Sequence, residues 1–464
     1  MDSLRTSGPA AGLDPAAAGL DPSAGLDPTF GAPSRAGTTP RLEPPRVLLL
    51  FDHDWDALGF ARSSGRFRFE HDGFDLFSFP SALRLAHFDL ERFVDGLCER
   101  HGEGLAAVVS NHEQFGALAA ALVARRLGLP GTPPEAIVAC QHKLHARRVL
   151  DAVAPEANLP YALLPCEIGE PVPQGLEYPL FVKPIKAAYS VLARRVDDRE
   201  SLVRHLRFGP IEAWIIRRLV RPFDAIARQV PGIDTDAHRM IAERPVQAAQ
   251  YNLDGYVHAG AMRLLGVVDE RMYPGTQAFM RFAYPSRLAP AVQARAADIA
   301  RRFLQAIGFD HGFFNMEFFH EPDSDAIRVI EFNPRLASQL ADLYHRVDGL
   351  DVHAMNLALA CGREPLEVPR AAHRDGAAAS FVFRSFDGAT PPAPPDAARR
   401  AALARAFPDA IFMDFERRGR ALRREYKWLG SHRYGVMNLG GADEAALHAR
   451  YREACALIGW PTPL

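Results

Sequence analysis

The most informative stretch of the chain reads Phe313-Phe-Asn-Met-Glu-Phe-Phe-His320, then the loop Glu-Pro-Asp-Ser-Asp-Ala, then Ile327-Arg-Val-Ile-Glu-Phe-Asn-Pro-Arg335. The two flanking runs are rich in aromatic and β-branched residues, and the loop is rich in turn-forming residues. This pattern predicts an antiparallel hairpin.

The register of the hairpin sorts its residues into two faces. Pairing that is symmetric about Ser324 places Glu317 opposite Glu331 and Asn315 opposite Asn333. Because side chains alternate along a strand, the apolar residues then share the other face. The predicted apolar pairs are Met316 with Phe332 and Phe318 with Ile330.

Two glutamates that face each other in a ladder repel each other. One interpretation is a solvated face on which the two side chains splay apart. The other is a divalent cation between them, since Mg²⁺ prefers oxygen ligands and takes the rest of its shell from water and phosphate. On the same face Asn333 adds a neutral oxygen, and Arg335 can bind a phosphate or carboxylate with two hydrogen bonds.

Lysine is rare in this chain. Of 54 basic residues, the lysines are Lys143, Lys183, Lys186 and Lys427, and all the others are arginine. A lysine that persists against such a bias is a candidate for binding phosphate as a compact charge, with chance survival as the alternative. We predict Lys143 on a helix over 141–153 and Lys183 at the end of a short strand over 178–184.

These features together resemble the ATP-grasp enzymes, which include biotin carboxylase, D-alanine–D-alanine ligase and amino-acid ligases. Glu317 followed by Glu331-Phe-Asn333-Pro-Arg335 is similar to the metal-binding signature of that family. Lys143 and Lys183 stand in the order of the family's two ATP-contacting lysines. The resemblance covers the chain from about Val47 to Gly362.

The resemblance implies a mixed α/β and α+β fold. A Rossmann-like α/β domain would precede an ATP-grasp domain of two α+β subdomains, and a C-terminal α/β segment would follow. The predicted boundaries are a disordered tail over 1–44, the N-terminal domain over 45–138, the ATP-grasp domain over 139–368 and the C-terminal segment over 369–464.

The resemblance also implies the chemistry. ATP and Mg²⁺ would be the cofactors, with Mn²⁺ as an alternative metal held by Glu317, Glu331 and Asn333. Lys143 and Lys183 would neutralise phosphate charge, and Arg335 would steady an acyl phosphate. The implied reaction is ATP-dependent joining of a carboxylate to an amine, on an amino acid or another small metabolite.

Three positions depart from the family pattern. Where a Gly-rich loop usually covers the phosphates, this chain has Lys186-Ala-Ala-Tyr-Ser190, in which Ser190 offers a hydroxyl. The strand from Met240 to Glu243 is the candidate adenine-linking strand, with Glu243 near the purine or ribose. Gln250 takes the position of a ribose-binding glutamate.

Composition narrows the function classes. The 464 residues carry a net charge of −2, which gives no polycation signal for nucleic acid or anionic membrane. The five cysteines are scattered and form no CxxC motif, which suits a cytoplasmic protein. We expect small-molecule carboxylate and amine partners, no nucleic-acid or membrane partner, and leave a homodimer open.

Two alternatives to the ligase stay open at this point. One is a biotin-carboxylase-like enzyme that activates bicarbonate, and the other is an ATP-binding sensor without turnover. Elsewhere, Asp254 and the run Asp269-Glu270-Arg271 are candidates for lining an acceptor site, with surface residues as the default interpretation. The sequence does not identify the substrates.

Overall fold

The computed structural model describes residues 43–74, 88–187, 192–386 and 390–463. Most of the predicted tail and Ser190 lie outside these ranges. None of the described helices has the length and apolar character needed to cross a membrane. The described residues contain three sheets.

The first sheet is parallel, and its strands alternate with helices, as is typical of a parallel α/β unit. It has the order β2-β1-β3, and its central strand is apolar and buried from Val47 to Leu50. Its elements are β1 (Arg46–Leu50), α1 (Asp54–Ala61), β2 (Arg68–Asp72), α2 (Leu90–His101), β3 (Leu105–Val109) and α3 (Gly116–Leu127). Gly128 ends the last helix at φ 66°, a left-handed conformation that suits glycine.

The helix predicted over 141–153 is α5 (Lys143–Val153), which starts two residues later than predicted, and another helix, α4 (Pro134–Gln141), comes before it. His142 separates them because its backbone is not helical, at φ −88° and ψ 87°. Its imidazole caps α5 by accepting a hydrogen bond from the backbone N–H of His145 at 3.1 Å. Lys143 is therefore the first residue of α5.

The second sheet is a small antiparallel one of four strands in the order β4-β7-β5-β6. The apolar run that precedes Lys183 forms β5, with Val182 fully buried. The elements of this sheet and its helices are β4 (Tyr161–Leu163), β5 (Leu180–Pro184), β6 (Arg194–Val196), α6 (Arg199–His205), α7 (Pro210–Ala227) and β7 (Met240–Glu243).

The third sheet has eight antiparallel strands in the order β12-β11-β8-β9-β10-β13-β15-β14. It includes strands of the last hundred residues, which join the hairpin's own sheet; the predicted boundary at 369 stays a prediction. Its strands are β8 (Ala249–His258), β9 (Ala261–Met272), β10 (Phe279–Tyr284), β11 (Gly312–Glu321), β12 (Ala326–Asn333), β13 (Ala377–Phe386), β14 (Ile411–Asp414) and β15 (Ser431–Gly441).

The two faces of the hairpin carry different kinds of side chain, because successive side chains of a strand point to opposite faces of the sheet. Met316, Phe318 and Phe332 point into a core shared with the helix α8, and the Phe332 ring stacks on Phe303 at 3.9 Å. The opposite face carries polar residues. The remaining helices are α8 (Pro290–Ala306), α9 (Ala341–Asp348), α10 (Val352–Ala360), α11 (Ala397–Ala406), α12 (Gly419–Leu429) and α13 (Glu444–Ile458), with 3₁₀ turns at Pro155–Ala157 and Pro365–Glu367.

The register of the hairpin is the predicted one from Asn315 to Glu317 and shifts by one residue beyond it. Phe318 pairs with Val329, so the predicted pair of Phe318 with Ile330 is wrong. Ile330 is the extra residue of a β-bulge. The bulge turns backbone carbonyls out of the ladder, where they accept hydrogen bonds from cationic side chains.

Arg147 of α5 stabilises this bulge through hydrogen bonds to its backbone carbonyls. Its guanidinium donates to the carbonyls of Val329 at 2.7 Å and Ile330 at 3.1 Å, and it pairs with Glu243 at 2.8 Å. The side chain is only 2% exposed. Because Glu243 lies on β7, one buried arginine ties the small sheet to the edge strand of the large sheet.

Substitution of Arg147 tests this tie. Arg147→Met keeps the apolar stem but leaves a buried carbonyl without a donor and removes one cation from Glu243. We expect the free energy of unfolding to fall by about 3–5 kcal/mol, measured by urea denaturation. The neighbouring Arg148 is 43% exposed and pairs with Asp234, so Arg148→Met should cost under about 1 kcal/mol. Equal losses for the two variants would show that the tie does not stabilise the fold.

Candidate active site

The two carboxylates of the hairpin lie where the sequence predicted. Glu317 and Glu331 pair directly across the ladder, and Asn315 pairs with Asn333. The amide of Asn333 donates to Asn315 Oδ1 at 3.0 Å and to Glu317 Oε1 at 3.3 Å. The hairpin therefore brings the predicted metal ligands together on one face.

This polar face continues onto the next strand, β8. The amide of Gln250 donates to Glu317 Oε2 at 3.1 Å, and Asn315 donates to Asn252 and, at 2.8 Å, to Asp254. We call the polar side chains on this face the polar floor; its members are Gln250, Asn252, Asp254, Glu270, Asn315, Glu317, Glu331 and Asn333.

The interpretation of Asp254 and Glu270 as surface residues is wrong. Asp254 is 2% exposed and Glu270 is 5% exposed, and both belong to the polar floor. The alternation of Gln250, Asn252 and Asp254 with other residues along β8 is the signal that could have placed them on one face. Their burial depends on the elements that cover the sheet, which a single strand does not reveal.

Asp254 anchors a chain of hydrogen bonds that ends at the hairpin. Its second oxygen accepts from the hydroxyl of Tyr344 at 2.6 Å, while its first accepts from Asn315. This orients the Asn315 amide so that its oxygen faces Asn333. Burial raises the pKa of Asp254 to about 6.

The two predicted lysines approach the hairpin from different elements. Lys143 Nζ lies 3.1 Å from Glu331 and donates to the carbonyl of Ala187 at 3.0 Å. Lys183 Nζ lies 2.9 Å from Glu243 and donates to the bulged carbonyl of Ile330 at 3.2 Å. The structure thus gathers both lysines at one site, although they are far apart in the sequence.

A third lysine and a missed glutamate complete the cluster. Lys186 Nζ donates to the backbone carbonyl of Glu113 at 2.8 Å, and the Glu113 carboxylate accepts from Arg335 Nε at 3.0 Å. Sequence reasoning assigned no function to Glu113. Its position just beyond β3 was the available signal, because ligands of parallel α/β sheets bind outside the carboxyl ends of the strands.

The remaining predicted residues are placed as follows. Glu243 forms the end of β7 as predicted, but it is buried and paired with Lys183 and Arg147 rather than open. Gln250 contacts Glu317. Their roles in nucleotide binding stay predictions, and so does that of Ser190, which lies outside the described residues.

Electrostatics distinguish the carboxylates. Burial alone would raise the pKa of Glu243 and that of Glu331. The charges of Arg147 and Lys183 instead hold the pKa of Glu243 below its ordinary value. The charges of Lys143 and Lys183 do the same for Glu331. Glu317 is not compensated in this way: burial and then the Glu331 charge raise its pKa to about 8. Burial and Glu317 raise the pKa of Glu270 well above its usual range. Without a bound cation these two carboxyl groups therefore favour their protonated forms, and a cation bound beside them would favour their ionised forms.

This donor set fits a hard divalent cation. Within the described ranges, no three His, Cys, Asp or Glu side chains form a ready-made metal site. Two opposed carboxylates with a neighbouring amide are instead the partial shell that Mg²⁺ completes with water and phosphate oxygens. Glu317, Glu331 and Asn333 are the residues that would hold it.

The raised pKa of Glu317 predicts a pH dependence of stability. Between about pH 5 and pH 8, the unfolded chain loses the Glu317 proton whereas the metal-free folded chain keeps it. The free energy of unfolding should therefore fall as the pH rises through this window. Glu317→Gln should flatten the fall without abolishing it, since Glu270 titrates in the same direction. Thermal unfolding in EDTA checks this, and an unchanged slope would contradict the assignment.

Comparison with known sequences gives distant relatives. No protein-family model matches the chain. An uncharacterized protein, y4rH, of Sinorhizobium fredii is 27% identical over 267 residues, which is 56% of this chain and 50% of that protein. Carnosine synthase 1 of Mus musculus is 26% identical over 256 residues, 53% of this chain and 29% of that enzyme. The matched region thus spans half or less of these relatives.

Solved structures match over nearly the whole described chain. An L-amino acid ligase from Bacillus licheniformis has a TM-score of 0.64 at 16% identity, covering 89% of this chain and 97% of that chain. A carboxyaminoimidazole ribonucleotide synthase from Aspergillus clavatus has 0.60 at 15% identity, covering 89% and 98%. A biotin carboxylase from Campylobacter jejuni has 0.59 at 14% identity, covering 89% and 91%. The chain therefore has the fold of the ATP-grasp ligases, as the hairpin and its two lysines predicted.

Proposed function

We propose that this protein is an ATP- and Mg²⁺-dependent ligase that joins a carboxylate to an amine. One observation carries the proposal: two opposed carboxylates, Glu317 and Glu331, share one site with Lys143, Lys183 and Arg335. Such a site has the charges needed to bind a nucleoside triphosphate and its metal. It supplies positioning and charge neutralisation rather than a covalent nucleophile.

The proposed reaction has two steps. An oxygen of the substrate carboxylate attacks the γ-phosphorus of ATP, the bond from that phosphorus to the β–γ bridging oxygen breaks, and ADP leaves. The electron pair of an amine then attacks the acyl carbon, phosphate leaves with the C–O bonding pair, and the nitrogen releases a proton. The products are an amide, ADP and phosphate.

Each charged residue has a role in this scheme. Lys143 and Lys183 bind phosphate oxygens, and Arg335 holds the acyl phosphate through its planar guanidinium. Glu317, Glu331 and Asn333 hold the Mg²⁺, which neutralises phosphate charge when it is bound. Ser190, Glu243 and Gln250 are the proposed contacts to the rest of the nucleotide. Mn²⁺ is an alternative metal for the same oxygen ligands.

The names of two relatives support an amino-acid substrate. One matched structure is an L-amino acid ligase, and one matched sequence is a carnosine synthase. We propose small-molecule carboxylate and amine substrates, and leave open whether the protein is a homodimer. All five cysteines are free thiols, which supports a location in the reducing cytoplasm.

A bicarbonate-activating enzyme is the second candidate. It is supported by the match to a biotin carboxylase over 89% of the chain, at a lower TM-score than the amino acid ligase. Because both reactions use ATP in the same way, the polar floor does not distinguish them. The two reactions differ in the substrates that they join, so an assay of substrates distinguishes them.

The experiment that tests the function is ADP and phosphate release from Mg²⁺-ATP in the presence of pooled amino acids, small carboxylates, or bicarbonate with biotin. Product masses are recorded in parallel. A product with the mass of two condensed substrates establishes the ligase. Release with bicarbonate and biotin alone establishes the carboxylase instead, and tight ATP binding without release from any pool contradicts both.

Removal of one metal-binding carboxylate should stop the reaction. Glu331→Gln keeps the shape of the side chain but removes its charge, so we expect ADP release to fall about 100-fold or more. The control is Glu321→Gln at the turn end of the same hairpin, whose carboxylate pairs with Arg328 and Arg244 rather than with the lysines of the site. The control should keep the parent rate. Parental turnover in Glu331→Gln would reject the metal assignment.

Removal of one phosphate-binding charge should weaken ATP binding. Lys183→Met retains the buried stem, and Arg147 still neutralises Glu243. We expect the Kd for ATP, measured by calorimetry, to rise about 10- to 100-fold, as for loss of a charged hydrogen bond. Lys427→Met is the matched control, since Lys427 pairs with Glu212 away from the polar floor. Equal affinity in the parent and Lys183→Met would reject the role of Lys183.

A further inference from the structure

A histidine and an aspartate just beyond β1 form a pair to which the ligase scheme above gives no role. His53 Nδ1 lies 3.3 Å from Oδ2 of Asp56, which is three residues further along the chain in α1. The side chain of Asp56 is 1% exposed, whereas that of His53 is 32% exposed. Because ligands of parallel α/β sheets bind outside the carboxyl ends of the strands, the pair stands where a substrate can reach it.

Asp56 is fixed in place by contacts from three other segments. Its Oδ1 accepts hydrogen bonds from the amide of Asn111 at 2.7 Å and from the hydroxyl of Ser338 at 2.6 Å. His353 of α10 lies 3.5 Å from the same oxygen. Burial alone would raise the pKa of Asp56, but the contact with His353 and the charge of His53 hold it well below its ordinary value. Asp56 is therefore an ionised carboxylate in a defined position.

The imidazole of His53 has one covered edge and one open edge. Nδ1 is buried and forms no hydrogen bond with the residues that the structure describes, so its contact with Asp56 is one of charge. The exposed part of the ring is the opposite edge, which carries Nε2. A proton taken up at Nε2 makes the ring cationic, and the carboxylate of Asp56 stabilises that charge. An imidazole accepts and releases protons near neutral pH, the range in which a general base works best.

Two short segments connect this pair to Arg335, which we propose holds the acyl phosphate. The segment after β3 carries Asn111, which binds Asp56, and Glu113, which accepts from Arg335 Nε at 3.0 Å. The segment after β12 carries Arg335 itself and Ser338, which also binds Asp56. Because each segment spans only a few residues, Asp56 and Arg335 lie close to each other.

His112, between Asn111 and Glu113, gives independent evidence of this proximity. It is 4% exposed, and its pKa falls to about 3 because of burial and then because of the charges of His53, Lys186 and Arg335. These three cationic groups therefore lie around one buried imidazole. His53 is thus a neighbour of the residues that gather at the candidate active site.

We propose that His53 is the general base for the amine in the second step, with Asp56 as its positioning residue; this rests on the proposed ligase function. At neutral pH most amines are ammonium ions, which have no free electron pair. One proton passes from the nitrogen to Nε2 of His53, and the freed pair forms the bond to the acyl carbon. Phosphate leaves with the C–O bonding pair and takes a second proton from the nitrogen. His53 then releases its proton to water.

Hydroxylamine separates the two steps of the reaction. It is largely uncharged at neutral pH, so it attacks an acyl phosphate without a base and yields a hydroxamate. The parent and His53→Gln are assayed with Mg²⁺-ATP and the pools of amino acids and small carboxylates, with and without hydroxylamine. In His53→Gln we expect kcat for amide formation to fall about 100-fold or more. Hydroxamate formation and the KM values for ATP and the amine should stay near those of the parent.

His320→Gln is the matched control, because His320 pairs with Asp325 at the turn end of the hairpin. It should keep the parental rates of both reactions. The fold should tolerate His53→Gln, since Asn111, Ser338 and His353 still contact Asp56.

Three results for His53→Gln overturn the proposal but leave the ligase intact. They are parental amide formation, an equal loss of amide and hydroxamate, which would make the role of His53 structural, and a loss confined to KM for the amine, which would make His53 a binding residue. A parent that forms no amide from any pool overturns the ligase function and the proposal together.

Discussion

The buried opposition of Glu317 and Glu331 is the constraint on which the rest of the site depends. Two carboxylates across a ladder repel each other, and burial strengthens the repulsion because little water screens it. The chain compensates from three directions, with Lys143 from a helix start, Lys183 from a strand end and Arg335 from the residues that follow the hairpin. The compensation is incomplete, because the pKa of Glu317 stays raised, and a bound cation would supply the positive charge that favours its ionised form.

The β-bulge at Ile330 connects this electrostatic arrangement to the fold. A regular ladder would direct the carbonyls of an edge strand outward without a partner. The bulge instead presents them to Arg147 and Lys183, which also hold Glu243 of the small sheet. The same contacts therefore satisfy backbone groups, join two sheets and position a lysine that we propose binds phosphate.

Local patterns predicted most of the hairpin and its cations. The alternation of polar and apolar residues gave the pairing of Glu317 with Glu331, and the rarity of lysine pointed to Lys143 and Lys183. The shift at Ile330 was missed because it depends on Arg147, a partner 183 residues away in the sequence. The start of α5 at Lys143 was missed by two residues because apolar periodicity does not report the cap that His142 forms.

The sequence by itself determined the strands, the faces of the hairpin and the order of the charged motifs, since these depend on neighbours one to a few residues apart. Only the tertiary structure decided which charges are compensated. Asp254 and Glu270 read as surface residues because nothing local reveals what covers a sheet. Glu113 and Arg335 meet across 222 residues, and the cost of burying each charge depends on such distant partners.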